Sequence, residues 1–251
     1  VPHPEVATAY TAHVMDCMAE IEAALGNEAE SKAYREFAAG CRRSYQALRR
    51  TAAYPLDTDR QAQLVRPLAF QLLDEAQTEY AQKRLLTALE HFHWRLGTGF
   101  LSTPLILYVL TEIDLESAYR LLENEEIPGW LSMPKNGATT IWEAWEGPNS
   151  KSGGIGSLNH YSKGAVVAWL FDTMCGIRVD SENHFVIAPR PGGHFTRAKA
   201  VYNSVYGRVE SGWEKTPDGW HYTITIPANC TAELHLPEKP PVTLESGTYT
   251  F

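Results

Sequence analysis

Apolar residues in the first half of the chain return every three or four positions. Val6, Tyr10, Val14, Met18, Ile21 and Leu25 form one such stripe, and Gly26 follows where a C-cap would sit, which predicts a first helix. Ala33, Phe37, Cys41 and Tyr45 repeat every fourth residue and predict a second helix ending near Arg50, before the Tyr54-Pro55 break. The two are expected to pair as a hairpin. Helical spacing returns over residues 62–73 and 75–92, the latter with Ala81, Leu85, Leu89 and Phe92 on one stripe. Thr103-Pro104 reads as an N-cap with a first-turn proline opening the apolar run Leu105 to Leu110. Asp114 is expected to cap a further helix, with Leu115, Ala118, Tyr119 and Leu122 on one face.

Between residues 125 and 158 the helical period stops, and Gly, Pro, Asn, Ser and Trp dominate a stretch longer than ordinary connections. Long loops on compact domains usually carry function. Helix is expected again over residues 159–175, with Asn159 as N-cap, Gly164 tolerated inside and Gly176 closing it. Its apolar residues Ala165, Val166, Val167, Trp169, Leu170 and Phe171 wrap most of the circumference, so burial is expected. After Ile177 the period changes to strand-like alternation, as in His221 to Ile226, between frequent Gly and Pro turn signals. The fold class is therefore mainly α with a C-terminal all-β domain, divided into residues 1–178 and 179–251. Consecutive hairpins with functional loops at one end suit an α/α toroid. A helical solenoid has the same local pattern, but no solenoid-type sequence repeat is evident.

The 251 residues are 44% hydrophobic and 21% charged, which excludes disordered, collagen-like and disulfide-scaffold classes. The net charge of −8 comes without a basic run, so neither nucleic acid nor an anionic membrane is an expected partner. No stretch approaches the roughly 18 apolar residues of a membrane span. Cys17, Cys41, Cys175 and Cys230 are too far apart for a zinc motif and read as free, mostly buried thiols; no metal or cofactor is expected. The Val-Pro-His-Pro start lacks Met and a secretion signal and reads as the start of an excised piece, which leaves the compartment open.

Three clusters carry chemistry. The first is Trp142-Glu143-Ala144-Trp145, a carboxylate bracketed by two tryptophans within the long loop. Aromatic rings match the C–H faces of sugars, and a carboxylate accepts hydroxyl hydrogen bonds or does acid–base work. The plain alternative is two core anchors around a solvated glutamate. The second is Ser157-Leu158-Asn159-His160-Tyr161, where His160 either meets a ligand or is structural. The third, Arg95 to Leu101, places Gly97 and Gly99 in a turn that serves either close ligand approach or simple helix connection.

Taken together these clusters resemble the bacterial α-L-rhamnosidase family of glycoside hydrolases. The motifs are Thr98 to Leu101, Ala118 to Leu122, Pro128 with Gly129-Trp130, Gly137 to Trp145 and Leu158 to Tyr161. The tail adds Ile187-Ala188-Pro189, Tyr206-Gly207, Ile226 to Ala232 and Ser246-Gly247, while the first sixty residues match mainly in helical pattern. The resemblance implies part of an (α/α)6 barrel followed by a β-sandwich, and inverting hydrolysis of terminal α-L-rhamnosides. By it, Glu143 is the general base, His160 contacts rhamnose, and Trp142 and Trp145 line the pocket. Ala144 stands where many relatives carry Arg.

In that family the general acid belongs to a motif upstream of all the residues present here. Inversion needs an acid and a base about 6.5 to 9.5 Å apart. Glu146, three residues from Glu143, is too near if helical and on the opposite side if extended, and it is expected to face solvent or be structural. The chain alone is thus expected to be inactive or nearly so, and to self-associate through uncovered half-barrel surface. A non-catalytic carbohydrate-binding protein and another α/α-toroid enzyme remain the alternatives.

Overall fold

The computed structural model describes residues 3–149, 156–237 and 239–251. The chain forms two compact units, Val1–Ser162 and Lys163–Phe251.

The first unit is built from helical hairpins. Helices α1 (His3–Ala24) and α2 (Glu28–Leu48) turn about Gly26, whose φ of +82° is a left-handed value that glycine adopts without Cβ strain. Ser31 Oγ donates to the Ala19 carbonyl at 2.8 Å and ties the turn across. The side of α1 that packs meets the predicted apolar stripe only in part: Tyr10 lies against the core and Val6 and Met18 are half-buried. Ala9, Ala12 and Ala19 are buried, with Ala9 and Ala12 clustered with Tyr45, Phe70 and Leu72, whereas Val14, Ile21 and Leu25 are 48%, 51% and 69% exposed. Small alanines let neighbouring elements approach closely. Val14, Ile21 and Leu25 lie off that side and are left uncovered by the described residues.

Next come α3 (Gln61–Ala69) with α4 (Glu75–His91), then α5 (Thr103–Ile113) with α6 (Leu115–Leu122). Asp74 caps α4 through a reciprocal box with Gln77, its carboxylate accepting from Gln77 N at 2.9 Å. Asp114 ends α5 and caps α6, as the sequence predicts, accepting from Ser117 N at 2.9 Å. Leu64, Leu85, Leu89, Ile106, Leu110 and Leu121 fill the core.

One charged cluster lies inside this core. Glu5 and Arg66 are buried, with Arg66 Nη2 2.6 Å from Glu5 Oε2. Tyr45 donates its hydroxyl to Glu5 Oε1 at 2.5 Å, and Arg66 Nη1 donates to Ser102 Oγ at 3.1 Å. Burial and the adjacent Glu5 carboxylate hold the Tyr45 phenol well above its ordinary value.

Because the links within hairpins are short, the longer connections emerge together at the opposite end. There Gln61 bridges two of them: its amide donates to Arg95 O at 2.9 Å and accepts from Gly97 N at 2.7 Å. Leu96 N donates to Pro128 O at 2.9 Å, and Asn124 donates to the His93 and Trp94 carbonyls at 3.0 and 2.7 Å. The predicted long loop contains a short helix α7 (Ser132–Lys135) and a 3-10 turn Gly147–Asn149; its residues 150–155 lie outside those described.

The predicted continuous helix over 159–175 is instead broken. It consists of α8 (Tyr161–Gly164), α9 (Val166–Trp169) and a π turn, Leu170–Met174. Gly164 and Ala165 mark the break, glycine giving up helix propensity there, and the wider π turn follows. Nor is the segment uniformly buried: Trp169 and Met174 are, but Val167 and Phe171 are 47% and 38% exposed.

The second unit continues into eight strands: β1 (Ile177–Ser181), β2 (His184–Ile187), β3 (Arg197–Ser204), β4 (Gly207–Thr216), β5 (Gly219–Ile226), β6 (Thr231–Leu234), β7 (Val242–Leu244) and β8 (Gly247–Thr250). They form two four-stranded sheets in the orders β1-β2-β6-β7 and β3-β4-β5-β8, all pairs antiparallel except β2 with β6. Phe185 and Tyr202 bring the sheets into ring contact at 6.4 Å, over a core of Ile187, Val209, Ile224, Ile226 and Leu234. Trp213 Nε1 donates to Met174 O at 2.8 Å and Ser211 Oγ to Cys175 O at 2.5 Å, which fastens the π turn to β4. Cys175 and Cys230 are buried, Cys41 is half-buried and Cys17 is exposed; all four are free thiols.

Candidate functional site

The loop that carries Glu143 closes on itself. Glu143 N donates to Ser157 O at 2.8 Å, and His160 N donates to Ile141 O at 2.8 Å. Thr140 Oγ1 adds a hydrogen bond to Leu158 O. The Trp142-Glu143 limb is therefore laced to the Ser157–His160 limb, and two sequence clusters become one site. The exposed Glu143 side chain joins the same pairing, its Oε2 accepting from Ser157 N at 2.7 Å. A carboxylate held by a backbone N–H has a set direction.

Two glycines make this closure fit. Gly156 has φ +64°, and a Cβ there would lie 3.1 Å from Glu143 Oε2. Gly147 has φ +52°, and a Cβ there would run into the Trp142 ring. Trp142 itself is 6% exposed and anchors the loop from within, while half-buried Trp145 meets buried Trp130 edge-on at 6.5 Å. Glu146 is exposed.

His160 sits in an aromatic bracket. The Phe100 ring meets it edge-on at 5.6 Å, and Tyr161 stacks parallel to it at 5.6 Å with an interplanar angle of 7°. Phe100 and Tyr161 also touch, 5.4 Å apart, and are 49% and 73% exposed. Phe100 is placed by its neighbours: Tyr10 donates its hydroxyl to Leu101 O at 2.8 Å, and Arg66 holds Ser102. The glycine-containing turn thus delivers an aromatic ring to His160. His160, rather than Asn159, caps α8: Nδ1 accepts from Ser162 N at 3.3 Å and lies 2.9 Å from Ser162 Oγ. The sequence clusters contain Ser157 and Phe100 without giving either a role, and they omit Ser162; small hydroxyls and one exposed ring are signals too common to stand out.

Among the described residues no group of three or more His, Cys, Asp and Glu side chains is placed to hold a metal ion, and no helix is long and apolar enough to cross a membrane.

Helical hairpins whose connections gather an oriented glutamate, a bracketed histidine and tryptophans, followed by a two-sheet β domain, define the α/α class of glycosidases. Family comparison specifies which one. Residues 2–174 match the bacterial alpha-L-rhamnosidase 6 hairpin glycosidase domain and residues 183–251 match the bacterial alpha-L-rhamnosidase C-terminal domain. The chain belongs to the bacterial α-L-rhamnosidase family. It is 33% identical to an alpha-L-rhamnosidase of Streptomyces avermitilis over all of this chain and 25% of that protein. A Formosa agariphila alpha-L-rhamnosidase is also 33% identical, over 94% of this chain and 26% of its own length. Among solved structures, native rhamnosidase from Aspergillus terreus superposes with a TM-score of 0.89 at 28% identity, covering 97% of this chain and 29% of that one. The Streptomyces avermitilis enzyme complexed with L-rhamnose gives 0.88 at 30% identity, covering 100% and 27%. This chain spans about a quarter of the length of the curated relatives it matches.

Proposed function

We propose that this chain supplies the general-base portion of an inverting α-L-rhamnosidase acting on terminal α-L-rhamnosides. The observation that carries the reading is the exposed Glu143 carboxylate, aimed by the Ser157 N–H on a limb laced to the one that carries the bracketed His160. In the proposed reaction Glu143 takes a proton from water as the water oxygen bonds to the anomeric carbon. The glycosidic C–O bond breaks, and an acid contributed by residues preceding Val1 in the complete protein protonates the leaving oxygen. His160 hydrogen-bonds a rhamnose hydroxyl, Trp145 flanks the sugar, and Trp142 shapes the pocket from beneath. The catalytic portion runs to about residue 178 and residues 179–251 form an accessory β-sandwich, a division supported by the family models leaving off at 174 and resuming at 183.

The test is the stereochemistry of hydrolysis. Complete enzyme incubated with an aryl α-L-rhamnoside should release β-L-rhamnose first, as followed by proton NMR before mutarotation. First release of the α-anomer, or no hydrolysis, overturns the reading. The isolated chain should turn over at background rate. It should also self-associate through apolar side chains such as Val14, Ile21 and Leu25; a strictly monomeric species in light scattering would contradict that.

A further inference from the structure

We propose that Ser162 is a positioning residue that fixes the tautomer of His160, so that the imidazole offers an N–H, and not a lone pair, to the sugar. The inference rests on the reading above that His160 meets a rhamnose hydroxyl.

A peptide N–H only donates, and Ser162 N points at His160 Nδ1 from 3.3 Å. Nδ1 therefore presents its lone pair. Ser162 Oγ, 2.9 Å from the same nitrogen, directs its hydroxyl proton to that lone pair as well. A neutral imidazole has one N–H, so the proton resides on Nε2. Ser162 is only 3% exposed, so water does not compete for these bonds. The bracket of Phe100 edge and Tyr161 face sets the ring plane, while Ser162 sets which nitrogen carries the proton.

Nε2 lies on the ring edge away from the α8 backbone and is the atom left to meet a ligand. As a donor it selects a sugar oxygen that accepts. In the opposite tautomer the same contact would place a lone pair against that oxygen's lone pair, and binding would weaken with the rings unmoved. Ser162 thus tunes the site without touching the sugar.

A double-mutant cycle in the complete enzyme tests this, with Ser162→Ala, His160→Ala, both together, and Ser162→Thr, assayed on an aryl α-L-rhamnoside. Ser162→Ala leaves the longer peptide N–H contact in place and removes the nearer hydroxyl donor, which loosens the hold on the Nε2–H tautomer. It should raise KM about two- to tenfold with kcat nearly unchanged, the size of one neutral hydrogen bond lost from ground and transition state alike. Ser162→Thr should restore KM, and Ser162→Ala should add nothing in the His160→Ala background. Additive effects, or a Ser162→Ala enzyme with unchanged KM while His160→Ala is impaired, overturn the proposal. Unchanged kinetics in His160→Ala alone instead overturn the underlying reading of His160, and Ser162 need not be altered to see it. Should Ser162→Ala melt early, ¹⁵N shifts of histidine-labelled Ser162→Thr and unsubstituted protein decide: both should show His160 with a protonated Nε2 and a bare Nδ1. A protonated Nδ1 in the unsubstituted protein refutes the assignment outright.

Discussion

Gly147 lies against the face of the Trp142 indole, so close that a single added methyl would overlap the ring carbons. With φ at +52° an L side chain is also strained there. Gly147→Ala is therefore expected to push the tryptophan outward and drag the adjoining Glu143 with it. Both readouts should fall: melting temperature, and kcat by about 10²-fold, the scale of an ångström-level misplacement of a reacting group. An active variant of unchanged stability would show the packing to be dispensable.

Gly156 separates position from stability. An alanine methyl would lie 3.1 Å from Glu143 Oε2, and φ is +64°. Gly156→Ala should lower kcat while melting falls by no more than in Gly137→Ala, where φ is +84° but the space is open. Equal kcat in the two variants would count against a role for Gly156 in aiming the carboxylate.

Glu143→Gln in the complete enzyme keeps shape and removes the proposed base. Folding should survive and kcat should drop about 10² to 10⁴-fold with substrate still binding. Added azide should give the β-rhamnosyl azide; an α-configured product would assign Glu143 a different role.

The Glu5–Arg66 pair is buried on both sides, so breaking it leaves a lone charge in the core. Glu5→Gln or Arg66→Met should each cost about 3 to 5 kcal/mol in denaturant unfolding, and replacing both with apolar residues should recover much of that. A loss under 1 kcal/mol from either single change would mean that water reaches the pair.

Stability should fall at alkaline pH. Burial pushes the Cys175 thiol up to about 11 and holds Tyr45 higher than an ordinary phenol. Both keep their protons in the folded state after the unfolded chain has lost them, so the folded state binds more protons and loses stability as pH rises. For Cys175 the window runs from its unfolded value near 9 to about 11. Melting temperature followed from pH 8 to 11 should decline more steeply in the unsubstituted protein than in Cys175→Ala; parallel curves would show the thiol to be solvated.

Features written in local chemistry were legible in the sequence, and those made by distant partners were not. Asp114 announces its helix because a cap needs only the next three residues, and the change of period after Ile177 announces the sheets. Trp142-Glu143-Ala144-Trp145 marks the candidate site because aromatics around a carboxylate are rare in a loop. The Ser157 amide that aims Glu143 is fourteen positions away and carries no signature of its own. The exposed stripe of α1 misleads for a related reason: periodicity reports that a face is apolar and is silent about what covers it. The broken helix after His160 escaped because six apolar residues outweigh one glycine in any pattern, whereas the backbone yields at Gly164 and opens into a π turn.

The double tie between Glu143 and Ser157 has a consequence for how this site could diversify. These ties and the packing of Gly147 and Gly156 hold the described ends of the loop, so the number of residues between the two glycines is decoupled from the aim of the carboxylate. Closure entropy grows only logarithmically, about 0.6 kcal/mol per doubling of length. Insertions, deletions or exchanges between Gly147 and Gly156 can change the chemistry of the loop while the carboxylate keeps its bearing, whereas Trp145, Gly147 and Gly156 are fixed by what they touch.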